Sequence, residues 1–100
     1  MRASKSATAA LSQLAERFRD GGYVRRRDPV RTEEEGRLYK KGAEVRFVAR
    51  SQAELRDIRR LLRQAGFPVK HAFKKNNQWR QPLYGVKAVA RFLAAVESQE

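Results

Sequence analysis

The 100-residue chain contains no cysteine and a single histidine, His71. The first absence excludes disulfides, thiolate metal sites and a cysteine nucleophile, and the second excludes any zinc site that needs two imidazoles. No apolar run is long enough to span a bilayer. The opening stretch starts basic but has no continuous apolar core, because Ser12, Gln13, Glu16 and Arg17 interrupt it. A soluble, cytoplasmic protein with no membrane partner is the expectation. Acids are scarce too: 11 Asp and Glu stand against 23 Lys and Arg, for a formal net charge of +12.

What is present begins with that charge and its placement. Residues 1–50 carry 13 basic and 7 acidic groups and residues 51–100 carry 10 and 4, so each half contributes +6. The basicity belongs to the folded body and not to a tail. Sixteen of the cations are arginine, whose planar fork suits phosphates and guanine edges. A polyanion is the implied partner, and nucleic acid is the usual one. With 41% hydrophobic residues and nine aromatics, the chain can bury one modest core, so residues 1–100 read as a single domain. Residues 1–6 read as a flexible start and residues 28–37 as an exposed loop holding the acidic run Glu33, Glu34 and Glu35.

Hydrophobic spacing sets the element order. Ala7, Ala10, Leu11, Leu14, Ala15 and Phe18 recur at helical steps, and Gly21 or Gly22 supplies the stop. A short extended run follows from Tyr23 to Pro29. From Ala43 the period becomes two, with Val45, Phe47 and Ala49 on one side and Glu44, Arg46, Val48 and Arg50 on the other. Ser51 and Glu54 match a capping box in which the glutamate reaches back to the serine amide. The helix behind it has Leu55, Ile58, Leu61, Leu62 and Ala65 on one stripe and Arg56, Arg59, Arg60 and Arg63 opposite, and Gly66 closes it.

The run from Val69 to Gly85 reads as a hairpin turning at Asn76-Asn77, with Val69, His71 and Phe73 on one side of its first strand and Lys70, Ala72 and Lys74 on the other. Trp79, Gln81 and Leu83 oppose Gln78, Arg80 and Pro82 in the return strand. Pro82 has no N–H to donate, which requires an edge or a bulge there. A last helix presents Val86, Val89, Ala90, Leu93 and Val96. The fold class is therefore α+β in the order αββαββα, a four-stranded, mainly antiparallel sheet with helices on one face and an open basic face.

That order and the junction LAERFRDGGYV together resemble one repeat of the LAGLIDADG homing endonuclease family. The resemblance covers residues 8–97. Asp20-Gly21 stands where the family's signature helix ends in an acid and a glycine before the first strand of a DNA-reading sheet, and QWRQPLYGVKAVARFLAAV resembles the family's last strand, tyrosine-glycine junction and last helix. A register shifted by one residue puts Gly21 at the acid's position and Glu16 at a glycine's. What the resemblance implies is duplex DNA binding through the sheet, a homodimer formed through the first helix, and Asp20 as a catalytic carboxylate holding Mg²⁺ if the protein is a nuclease. Non-catalytic binding is the favoured form, since one repeat supplies one such carboxylate.

The candidate nucleic-acid contacts are Arg25, Arg27, Arg46, Arg50, Lys70, Lys74, Lys75 and Arg80. The plain alternative is an ordinary solvated strand face. Phe73 and Trp79 read as core residues before base-stacking platforms, and His71 as a sheet residue before a catalyst. Rival readings of the whole chain are an RNA- or ribosome-associated basic domain, and a protein-interaction module using the arginine-rich second helix or the alanine-lined first one.

Overall fold

A computed structural model describes residues 5–25 and 44–98. In chain order the elements are α1 (Lys5–Arg19), β1 (Tyr23–Arg25), β2 (Glu44–Ala49), α2 (Gln52–Gln64), β3 (Phe73–Lys75), β4 (Gln78–Leu83) and α3 (Val86–Ser98). The strands form one antiparallel sheet in the order β1-β2-β4-β3. The αββαββα order, the four-stranded sheet and the helical layer against it are as the spacing predicts. Arg27, the acidic run Glu33 to Glu35 and the expected loop 28–37 lie outside the described residues.

The period-two pattern of β2 decides which face meets the helices. Val45, Phe47 and Ala49 are fully buried, and across the ladder they face Leu83, Gln81 and Trp79 of β4. Above them lie Ala10, Leu14 and Ala15 of α1, Ile58, Leu61 and Leu62 of α2, and Val89, Phe92 and Val96 of α3. Phe92 is the hub of this layer. Its ring meets Phe47 at 5.2 Å, Phe18 at 5.5 Å and Phe67 at 6.4 Å, each edge to face, the arrangement that aromatic quadrupoles favour. The expected stripe of α3 is corrected here, because Phe92 is buried while Ala90 and Val86 are exposed. Ala10 and Ala15, on the alanine-lined side of the first helix, are buried in this intramolecular core.

The helix ends follow local chemistry. Ser51 caps α2 by accepting from the Glu54 amide at 3.1 Å. The Glu54 carboxylate accepts from the Arg50 amide at 2.9 Å, one residue beyond the serine amide that a standard box would use. At the other end Gly66 takes φ +84°, with Gly66 N–H donating to Arg63 and Phe67 N–H to Leu62, a Schellman closure. Two arginines finish the carbonyls that helix ends leave free: Arg91 donates to Ala65 at 2.6 Å and Arg19 to Val96 at 3.2 Å.

The junction after α1 turns on Gly22. Its amide donates to the Phe18 carbonyl at 2.7 Å, and a Cβ at this position would stand 2.9 Å from the Arg46 carbonyl oxygen and 2.9 Å from a Phe18 ring carbon. A Cβ on Gly21 would meet nothing nearer than 3.9 Å. Chemical denaturation should therefore separate the two glycines: Gly22→Ala is expected to cost about 1–3 kcal/mol through overpacking, and Gly21→Ala to stay within about 0.5 kcal/mol of the parent.

The first strand of the second hairpin is shorter than its sequence suggests. Residues 69–72 are not strand. The Lys70 carbonyl is taken by two side chains, the Gln81 amide at 2.8 Å and the Arg59 guanidinium at 3.0 Å, so it does not enter a ladder. Gln81 is fully buried and satisfied, since its carbonyl oxygen accepts from Arg59 at 2.7 Å. The turn itself is as expected, with Asn76 and Asn77 at φ 53° and 63°. Pro82 also finds its edge: the β3 ladder ends at Phe73–Arg80, so among the described residues β4 has a strand on one side only at that point.

Candidate nucleic-acid interface

Strand register assigns the outer face residue by residue. Tyr23 and Arg25 of β1 lie opposite Arg46 and Glu44 of β2, Arg46 and Val48 lie opposite Pro82 and Arg80 of β4, and Arg80 and Gln78 lie opposite Phe73 and Lys75 of β3. This face carries no helix among the described residues. It brings together four of the predicted contacts, Arg25, Arg46, Lys75 and Arg80.

The other predicted contacts among the described residues are elsewhere. Lys74 pairs with Trp79 on the helix side of the sheet, its ammonium 5.3 Å from the indole, and this corrects the expectation that it joins the open face. The two-residue turn already required that pairing, because Asn76-Asn77 sets Lys75 opposite Gln78 and so Lys74 opposite Trp79. By the same parity Phe73 belongs to the open face and not to the core. Lys70 sits in the non-strand segment before β3 and is exposed, as is His71. Arg50 follows β2 at the sheet's corner, where it donates to Asp20 at 3.3 Å; both side chains are largely exposed.

At the centre of the open face the two arginines are covered. Arg46 is 8% exposed and Arg80 9%. The Arg46 guanidinium lies 5.0 Å from the Phe73 ring centre and 6.0 Å from that of Tyr23. It donates to both Glu44 oxygens, at 3.2 and 3.3 Å, and to the Tyr23 hydroxyl at 3.3 Å. Glu44 also faces Arg25 at 3.9 Å. Arg80 donates from Nη1 to the Gln78 carbonyl oxygen at 3.1 Å, and its buried Nε has no hydrogen-bond partner. Sequence reasoning named Arg46 and Arg80 but missed their burial, which for Arg46 depends on aromatic rings delivered by other strands.

A second cationic surface lies on the helical layer, where Arg56, Arg60 and Arg63 are exposed. Its charge is partly answered within the fold. Asp57 accepts from Arg17 at 2.8 Å and from Arg60, and the Arg60 bond, against a smaller opposing effect of burial and with help from Arg17, holds its carboxyl below the usual range. No group of three or more potential metal-ligating side chains converges among the described residues, and Asp20 has only Arg50 as a charged partner there.

No family model matches the chain, and no curated protein or solved structure matches it.

The open face also perturbs two phenols in opposite directions. Burial acts to raise Tyr23, but hydrogen bonds from Arg46 and Arg80, together with the charges of the two guanidiniums, outweigh it and bring the hydroxyl below its ordinary value. Tyr84 is raised, by burial first and then by the Glu44 carboxylate. In an absorbance titration Tyr23 should ionise ahead of Tyr84, and Tyr23→Phe should remove the early step alone. Because the folded value lies below the unfolded one, near about 10, ionised Tyr23 adds stability that is complete above the unfolded pKa and is lost as pH falls through the folded one.

Proposed function

We propose that this protein binds nucleic acid through its open sheet face, duplex DNA in preference to RNA. The observation that carries the reading is the charge of that face: Arg25, Arg46, Lys75 and Arg80 share it with one carboxylate, Glu44, among the described residues. An ordinary solvated strand face mixes both signs more evenly. The aromatics favour a duplex over a single strand. Proteins that hold single strands offer free ring faces for bases to stack on, whereas Phe73 and Tyr23 have the Arg46 guanidinium beside their rings. A backbone-tracking, groove-facing contact needs cations and polar groups, which this face has.

The likeness to one LAGLIDADG repeat is part of the same proposal and rests on the αββαββα order and on the passage from α1 through Asp20 and the glycines into β1. Cleavage is the less favoured extension. It would require Mg²⁺ and a second copy of the chain to bring two Asp20 carboxylates to one phosphate, and here Asp20 is engaged by Arg50.

Filter binding of a mixed-sequence 20-bp duplex across a salt series tests the binding reading. Log affinity should fall linearly with log salt, with a slope of about −3 if three or four phosphates are contacted. Affinity that stays flat with salt overturns it, and structured RNA that displaces the duplex at lower concentration than competitor DNA redirects it to RNA. Supercoiled plasmid incubated with Mg²⁺ tests the extension: nicking by the parent that Asp20→Asn abolishes would establish it, and equal behaviour of the two proteins removes Asp20 from any mechanism.

A further inference from the structure

On the helical side of the sheet, α2 and the second hairpin leave an open cleft of about 350 Å³, at the small end of the range that ligand sites occupy. Gln52, Leu55, Arg56 and Arg59 line it from one stripe of α2, and Trp79 lines it from β4. No carboxylate joins them among the described residues. The two acids of α2 are held elsewhere: Glu54 accepts from the Arg50 amide, and Asp57 from Arg17 and Arg60. Arg59 is fixed in place, because its Nη1 donates both to Gln81 and to the Lys70 carbonyl. Arg56 is exposed and has no ion-pair partner among the described residues. The cleft thus joins apolar surface, Leu55 and an indole, to two guanidiniums. That combination suits a ligand that is flat and aromatic at one end and anionic at the other.

We propose that this cleft receives one unpaired nucleotide, its base against Trp79 and Leu55 and its phosphate at Arg56 and Arg59. The nucleotide belongs to a strand that leaves the duplex held on the open face, so for its source the proposal rests on the nucleic-acid reading. Continuity of charge supports that source. β3 is the outermost strand of the sheet, and successive residues on a strand face opposite ways. Lys75 lies on the open face opposite Gln78, and Lys74 on the helical side opposite Trp79. A single strand turning round this edge passes from one lysine to the next and arrives at the cleft. In the unbound protein the Lys74 ammonium stands 5.3 Å from the centre of the indole. An exposed cation–π contact is weaker than a base stacked on an aromatic ring. The arriving base therefore displaces the ammonium, whose flexible stem lets it pair with a phosphate instead.

Trp79 is the chain's one tryptophan, so intrinsic fluorescence reports on the cleft directly. The probes are the blunt 20-bp duplex, the same duplex carrying a short single-stranded overhang, and deoxyadenosine monophosphate. The overhung duplex should bind about tenfold tighter than the blunt one, the scale of one stacked base, and should quench the emission saturably. Deoxyadenosine monophosphate should also quench it, and deoxyribose phosphate, which has no base, should not. Arg56→Gln, a change at an exposed position, should remove most of the overhang's advantage and leave blunt-duplex binding unchanged. If blunt and overhung duplexes bind with equal, salt-dependent affinity and neither moves the emission, the cleft proposal falls and the sheet-face reading stands. If the overhung duplex or the mononucleotide quenches Trp79 saturably while the blunt duplex does not bind, the cleft stands and the sheet-face reading falls. Quenching by an acidic, phenylalanine-bearing peptide with none by the mononucleotide overturns the proposal in favour of a protein partner. Emission unmoved by both the overhang and the mononucleotide overturns it whatever the affinities.

Discussion

Three edge-to-face contacts to Phe92 hold the layers of this protein together. Phe47 belongs to the central strand β2, Phe18 to the last turn of α1 and Phe67 to the segment leaving α2, so one ring on α3 ties every helix to the sheet. The orientation of the sheet follows from this. With Phe47 turned toward the helices, strand alternation sends Arg46 and Val48 outward, and the antiparallel registers carry that choice to Tyr23, Arg80 and Phe73. The basic face is in this sense set from behind, by where the apolar residues have to go.

The close approach at Gly22 makes the same point at the edge of the sheet. The end of α1 rests directly on the backbone of Arg46, which leaves no room for a side chain and brings Asp20 to the corner where Arg50 meets it. A sequence that ends a helix on a carboxylate beside two glycines is accounted for by steric need at one glycine and an ion pair at the acid. The fold alone supplies these reasons, so the junction does not by itself demand catalysis.

Much of the architecture could be read from residue spacing. Val45, Phe47 and Ala49, the Ser51 cap, the Ile58–Leu61–Leu62 stripe and the Asn76-Asn77 turn each combine a local preference with a matching hydrophobic period, and local and tertiary demands agree there. The last helix was harder because small and large apolar residues run nearly all round it from Val86 to Val96, and only the positions of Phe18, Phe47 and Phe67 select Phe92 over Ala90. Lys74 was misassigned although the turn length held the answer, since the parity of a two-residue hairpin outweighs the composition of its strands. The covering of Arg46 could not be read at all: it arises where three strands, remote in sequence, bring Tyr23, Glu44 and Phe73 to one spot.

The Gln81 side chain, fully buried and bonded to the Lys70 carbonyl, bears on a hazard common to open sheets. Beyond Arg80 the outer side of β4 has no strand beside it among the described residues, and an unpaired strand edge is a template for adding a strand from a neighbouring molecule. Here the adjoining segment is fastened by side chains instead of a ladder, and the next residue, Pro82, has no amide hydrogen to offer an incoming chain. A sheet with one face free of helices among the described residues is thereby closed along this stretch of its margin to polymerisation.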